Sequence, residues 1–155
     1  MSFDPNHEKH LRELQQELHR ASTITPGLMA DVIARACQRL PALARTEQAR
    51  VVRLVASGAL VDATLMLLAL DLPQWKLRRL IYDDGQWRCS LSKHIGLPAE
   101  LDDMAEADHE SLPLAILSAF VEARRHNLST AQSRPQSTPL VGRTQGYAIC
   151  CDNFA

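Results

Sequence analysis

Trp75-Lys76-Leu77-Arg78-Arg79-Leu80-Ile81-Tyr82-Asp83-Asp84-Gly85-Gln86-Trp87-Arg88-Cys89-Ser90-Leu91-Ser92 is the stretch that takes this chain out of the all-helical class. Two runs carrying aromatic and apolar residues flank Asp83-Asp84-Gly85, a cluster of turn formers. With Gly85 in the left-handed region, those three residues predict a bulged three-residue hairpin loop. Tyr82 then pairs with Gln86, and Trp75, Leu77, Ile81, Trp87, Cys89 and Leu91 share one face. Lys76, Arg78, Arg88, Ser90 and Ser92 take the other, along with Leu80 and Tyr82. A two-residue Asp84-Gly85 loop mixes the faces, so the bulged register is preferred. Arg79 is the misfit, stranded on the apolar side. The competing assignment, a short helix burying Leu77, Leu80 and Ile81, solvates Arg79 and ranks second.

Upstream, every signal is helical. Asp4 followed by Pro5 reads as an N-cap with proline at the first helical position. Leu11, Leu14 and Leu18 then recur at spacings of three and four, a narrow seam on a polar helix ending near Ser22. Two heptads are too few for a free coiled coil, so docking on the core ranks ahead of a homodimer through Leu11, Leu14 and Leu18. Thr25-Pro26 repeats the start signal, and Leu28, Met29, Val32, Ile33, Ala36, Cys37 and Leu40 form a wide apolar stripe before Pro41. A third helix begins at Thr46-Glu47, with Gly58 placed as its C-terminal cap. Ala59 to Leu70 is apolar nearly all round and predicts a central fourth helix. Its Asp62 and the helix-breaking Ser57-Gly58 argue against a membrane span.

Downstream, residues 93 to 111 read as a loop holding six acidic side chains between Glu100 and Glu110. Ser111 caps a final apolar helix, whose Arg124, Arg125 and His126 sit at its negative end. From Ser129 the composition shifts to Ser, Thr, Gln and Pro, a solvated linker. The expected organisation is therefore one helical α+β domain over 1-128, with 129-155 a flexible or loosely docked C-terminal tail. The fold class is α+β, mainly helical: about five helices around one core with a β-hairpin near residues 75-92.

Bulk properties bound the function. A chain of 155 residues with 46% hydrophobic content and 5% aromatics builds an aliphatic core without staples. A net charge of -1 disfavours a surface wholly devoted to nucleic acid or anionic lipid. The opening residues lack the basic and apolar regions of a signal peptide, so four cysteines are expected as reduced thiols in a cytoplasmic protein.

No constellation carries chemistry. Ser90-Leu91-Ser92-Lys93 matches a Ser-x-x-Lys motif, but on a strand its first and fourth residues point apart. His7 and His10, and the Cys150-Cys151 pair, lack zinc-site spacing. The acidic run lacks calcium-loop spacing. The expectation is therefore no catalytic, cofactor-binding or metal-binding residue, and no cofactor. The feature with most content is a basic and aromatic hairpin face, Lys76, Arg78, Tyr82 and Arg88, suited to a partner or an anion. A solvated face is the ordinary account of such charges. An anionic partner or the chain's own acidic loop is the next, and nucleic acid follows. A non-catalytic protein-interaction or regulatory module is the expected function, with an unknown protein partner and no membrane. A single-stranded nucleic-acid-binding protein is the alternative.

Overall fold

Proline, threonine and glycine punctuate the N-terminal half of the computed structural model, which describes residues 5–132. Helix α1 spans Pro5–Arg20 and α2 spans Pro26–Ala36. Thr25 caps α2, its Oγ1 accepting the Leu28 N–H at 3.1 Å. The second helix stops at Ala36, short of the Leu40 expected from its stripe, and Leu40–Ala42 forms a short 3-10 turn instead. Helices α3 (Arg45–Ala56) and α4 (Leu60–Asp71) follow. Between them Gly58 adopts φ +78°, the left-handed cap that a residue without Cβ allows.

Strands β1 (Lys76–Asp83), β2 (Gln86–Ser92) and β3 (Met104–His109) form an antiparallel sheet in the order β1-β2-β3. Helix α5 (Leu112–Gln132) closes the described chain. Over the described residues the fold is α+β and mainly helical, with five α-helices and the expected hairpin enlarged by a third strand. The 93–111 segment is thus no loop throughout. Six of its residues are β3, in which Ala105 and Ala107 alternate with Glu106 and Asp108.

The hairpin loop also differs from expectation. Asp83 pairs with Gln86, leaving Asp84-Gly85 as a two-residue loop with φ of 49° and 80°. Positive φ at both positions is the type I′ turn, whose twist matches its strands. The face mixing predicted for this loop is avoided by a bulge: the register skips from Leu77↔Leu91 to Arg79↔Ser90. One inserted residue, Arg78, reverses the alternation of everything before it. Arg79 consequently shares the outer face with Lys76, Ile81, Arg88 and Ser90, and is no longer a misfit. Leu77, Leu80 and Tyr82 join Trp87, Cys89 and Leu91 on the inner face.

The core lies between that inner face and the helices. Helix α5 packs most extensively on β3 and reaches β2, α1 and α4. Small Ala105 and Ala107 let it approach closely. Leu11, Leu14 and Leu18 are fully buried between α1 and its neighbours α5 and α2. Each such side chain contributes about 1.5–3 kcal/mol. The leucine seam thus faces the chain's own helices, and presenting it to a second copy requires α1 to leave the core.

Helix α5 continues to Gln132, so Arg124, Arg125 and His126 are interior to it and do not form its end. Arg124 is buried beside Asp71, itself buried at the end of α4, and the two form an ion pair. The other oxygen of Asp71 accepts the backbone N–H groups of Gln38, Arg39 and Leu40 at 2.9, 2.7 and 3.0 Å. Arg124 also donates to Gln38 Oε1 at 3.3 Å. One carboxylate therefore ties α4, α5 and the turn after α2 together. Residues 133–155, most of the expected tail, lie outside the described residues, as do Cys150 and Cys151.

Candidate interaction surface

The sequence-selected residues Lys76, Arg78, Tyr82 and Arg88 do not converge. Tyr82 lies on the inner face, opposite Trp87, with ring centroids 5.0 Å apart. Arg78, the bulge residue, donates from Nη1 to Asp102 Oδ2 at 2.8 Å and from Nη2 to the Leu97 carbonyl at 3.0 Å. Arg88 donates through Nε to Asp108 Oδ1 at 2.9 Å. Of the four, Lys76 alone keeps a cation with no hydrogen bond or ion pair to a described residue. The bulge sets Arg79 beside it on the same face.

The acidic segment supplies these partners because β3 lies beside β2. Register Arg88↔Asp108 and Ser90↔Glu106 puts each carboxylate directly across from a donor, and Ser90 Oγ donates to Glu106 Oε1 at 2.7 Å. Asp102 sits at the end of the sheet, accepting the His94 N–H at 2.8 Å and bonding Ser92 Oγ. Burial pushes the Asp102 carboxyl up, but the bonds from Ser92, His94 and Arg78 outweigh it, and its pKa lies below the ordinary value. The hairpin's basic face is thus largely answered by the chain's own carboxylates.

The base of β1 is anchored to the core. Trp75 is buried, and its Nε1 donates to Asn127 Oδ1 of α5 at 3.2 Å. The His126 ring lies 6.2 Å away, edge on. Lys93 Nζ stands 5.0 Å over the indole, a cation–π contact, while pairing with Asp103 at 3.2 Å. From this anchor the strand runs out beyond the cover of the helices. Leu77, Ile81 and Tyr82 are 37%, 39% and 60% exposed.

Among the described residues the outer edge of the β1 backbone is open as well. Beside a two-residue hairpin loop, Asp83↔Gln86 is the first pair to exchange both ladder bonds, and such pairs alternate along the strands. Ile81↔Arg88 and Arg79↔Ser90 are then the next bonded pairs. Tyr82 and Leu80, in the pairs between, direct their N–H and C=O away from β2 toward the free edge. The resulting surface offers backbone donors and acceptors, the apolar side chains Leu77, Leu80 and Tyr82, and the cations Lys76 and Arg79.

Other features of the described residues organise less. A shallow groove of about 540 Å³ between α1 and β3 is lined by Gln15, Gln16, His19, Arg20, Glu106 and Asp108, among others. Among the described residues no group of three or more metal-binding side chains converges, and no helix is long and apolar enough to cross a membrane. Cys37 and Cys89 are buried and unbonded to each other. Burial pushes the Cys37 thiol up to about 12 against the opposing pull of Arg124. It raises Cys89 to about 12 as well. Ser90 and Lys93 are engaged separately, one with Glu106 and the other with Asp103 and Trp75. Compared with known proteins, the chain matches no family model, and neither a curated protein nor a solved structure matches it.

Neither the openness of β1 nor the presence of β3 was found from sequence. The signal for the first was Arg79, whose misfit in the regular pattern marked the bulge. The signal for the second was the alternation Ala105-Glu106-Ala107-Asp108.

Proposed function

We propose that this chain is a cytoplasmic, non-catalytic protein-interaction module that docks a partner by strand addition along β1. The carrying observation is an eight-residue edge strand whose outer side pairs with no other described strand and whose end projects past the described helices. Strand addition uses main-chain hydrogen bonds for affinity and alternate side chains for specificity. Here Leu80 and Tyr82 supply the backbone groups. Leu77, Leu80 and Tyr82 read one face of an incoming segment, and Lys76 and Arg79 read the other. The two buried free thiols fit a reducing compartment.

Pull-down after nuclease treatment tests this reading, comparing the wild type with Tyr82→Asp and Ile81→Asp. Bound protein that survives nuclease and is lost in both variants supports docking on β1. Bound protein retained by both variants removes β1 as the site. Loss on nuclease treatment favours single-stranded nucleic acid instead, with Lys76 and Arg79 as phosphate contacts.

A further inference from the structure

The free edge of β1 is complementary to itself, and we propose that the partner is a second copy of this chain, joined strand to strand about a two-fold axis through Leu80. This rests on β1 being a docking strand, and specifies its occupant. In a symmetric antiparallel joint, directly opposed residues share a face, and the residue on the axis exchanges both of its backbone bonds with its own copy. Leu80 meets that requirement, because its N–H and C=O point to the open side.

The flanking residues then fall into register. Arg79 lies opposite Ile81 of the second copy, both on the outer face. The bulge at Arg78 is skipped, as it is against β2, so Leu77 lies opposite Tyr82 of the second copy on the inner face. Lys76 lies opposite Asp83 of the second copy on the outer face. Without the bulge, Arg78 would oppose Tyr82 and Leu77 would oppose Asp83. With it, apolar meets apolar on the inner side, and each end of the joint carries an opposite-charge pair.

The Lys76 ammonium and the Asp83 carboxylate have no hydrogen bond or ion pair to another described residue, and they sit at opposite ends of one strand. Asp83 is diagonal to Arg88, but Asp108 already holds that guanidinium. The joint would produce a six-stranded sheet with both helical layers on one side. Leu77, Leu80 and Tyr82 from each copy would close over the seam.

Sedimentation tests this over a wide range of concentration, with Lys76→Asp and Asp83→Lys as charge reversals on exposed positions. The wild type is expected to pass from monomer to dimer. Each single variant opposes like charges twice across the joint, weakening the dimer at least about tenfold. Mixing the two single variants restores opposite charges at both ends, so they should form a heterodimer that neither forms with itself. The double variant Lys76→Asp/Asp83→Lys should dimerise like the wild type. A wild type that stays monomeric throughout overturns the proposal, as does a dimer indifferent to both reversals. In the first case, β1-dependent capture of another protein would preserve the docking strand and remove only its self-pairing. In the second, the chain associates through another face.

Discussion

Strands β1 and β3 border the same sheet and meet opposite fates. Strand β3 is built from small and acidic residues. Its alanines lie under α5, and its carboxylates are answered by Arg88 and Ser90. Strand β1 is longer and carries the larger side chains, Leu77, Ile81 and Tyr82, yet no described helix covers its end. Hydrophobicity therefore does not decide which border strand lies under the helices. What decides is whether the neighbouring helix can approach, and alanine permits an approach that leucine or tyrosine would hold off. The border strand with more apolar surface is the one left outside, in keeping with the docking role proposed for it.

The comparison breaks first at the buried ion pair on the covered side. Asp71→Ala strands the Arg124 cation and three backbone N–H groups, and should cost about 3–5 kcal/mol in chemical denaturation. A loss below about 1 kcal/mol would mean that water reaches the pair and that this side is not closed. Next is Ala105→Leu, which forces a larger side chain between β3 and α5 and should cost about 1–3 kcal/mol. Gly85→Val follows, because a β-branched residue is strained at φ 80°; at least about 1 kcal/mol is expected by thermal or chemical unfolding.

Asp102 sharpens the contrast through pH. Its folded pKa is lowered from 3.8, so its contribution is present above that ordinary value and is lost as pH falls through the lowered one. Stability curves for the wild type and Asp102→Asn should therefore separate above the ordinary value and converge in acid. The smallest effect belongs to the open edge. Ile81→Ser should stay within about 0.5 kcal/mol of the wild type, because the residue packs on little within the chain.

Much of the helical framework is legible from local chemistry. Leu11, Leu14 and Leu18 announce their burial by spacing, and Thr25-Pro26 and Gly58 mark helix ends by backbone preferences that context does not alter. The sheet is harder. Alanine, glutamate and aspartate are poor strand formers, so β3 forms because α5 and β2 need it, with little intrinsic preference of its own. The Arg78 bulge shifts parity without changing composition, and only the awkwardness of Arg79 betrays it. Asp71 and Arg124 are separated by all three strands, and no local pattern announces their pairing. The basic face was legible as residues, but its neutralisation depended on β3 and was not.

The Asp71 carboxylate also imposes an order on assembly. It fastens the turn after α2, yet its own counter-charge lies on α5, the last described element to leave the ribosome. The leucine seam of α1 waits for that same helix. The first helices can pair with one another as they emerge, but the contacts that α5 supplies to α1 and to Asp71 are missing until it is synthesised. Full burial of α1 is thus deferred until α5 is made, and the growing chain must keep its leucines from other company until then.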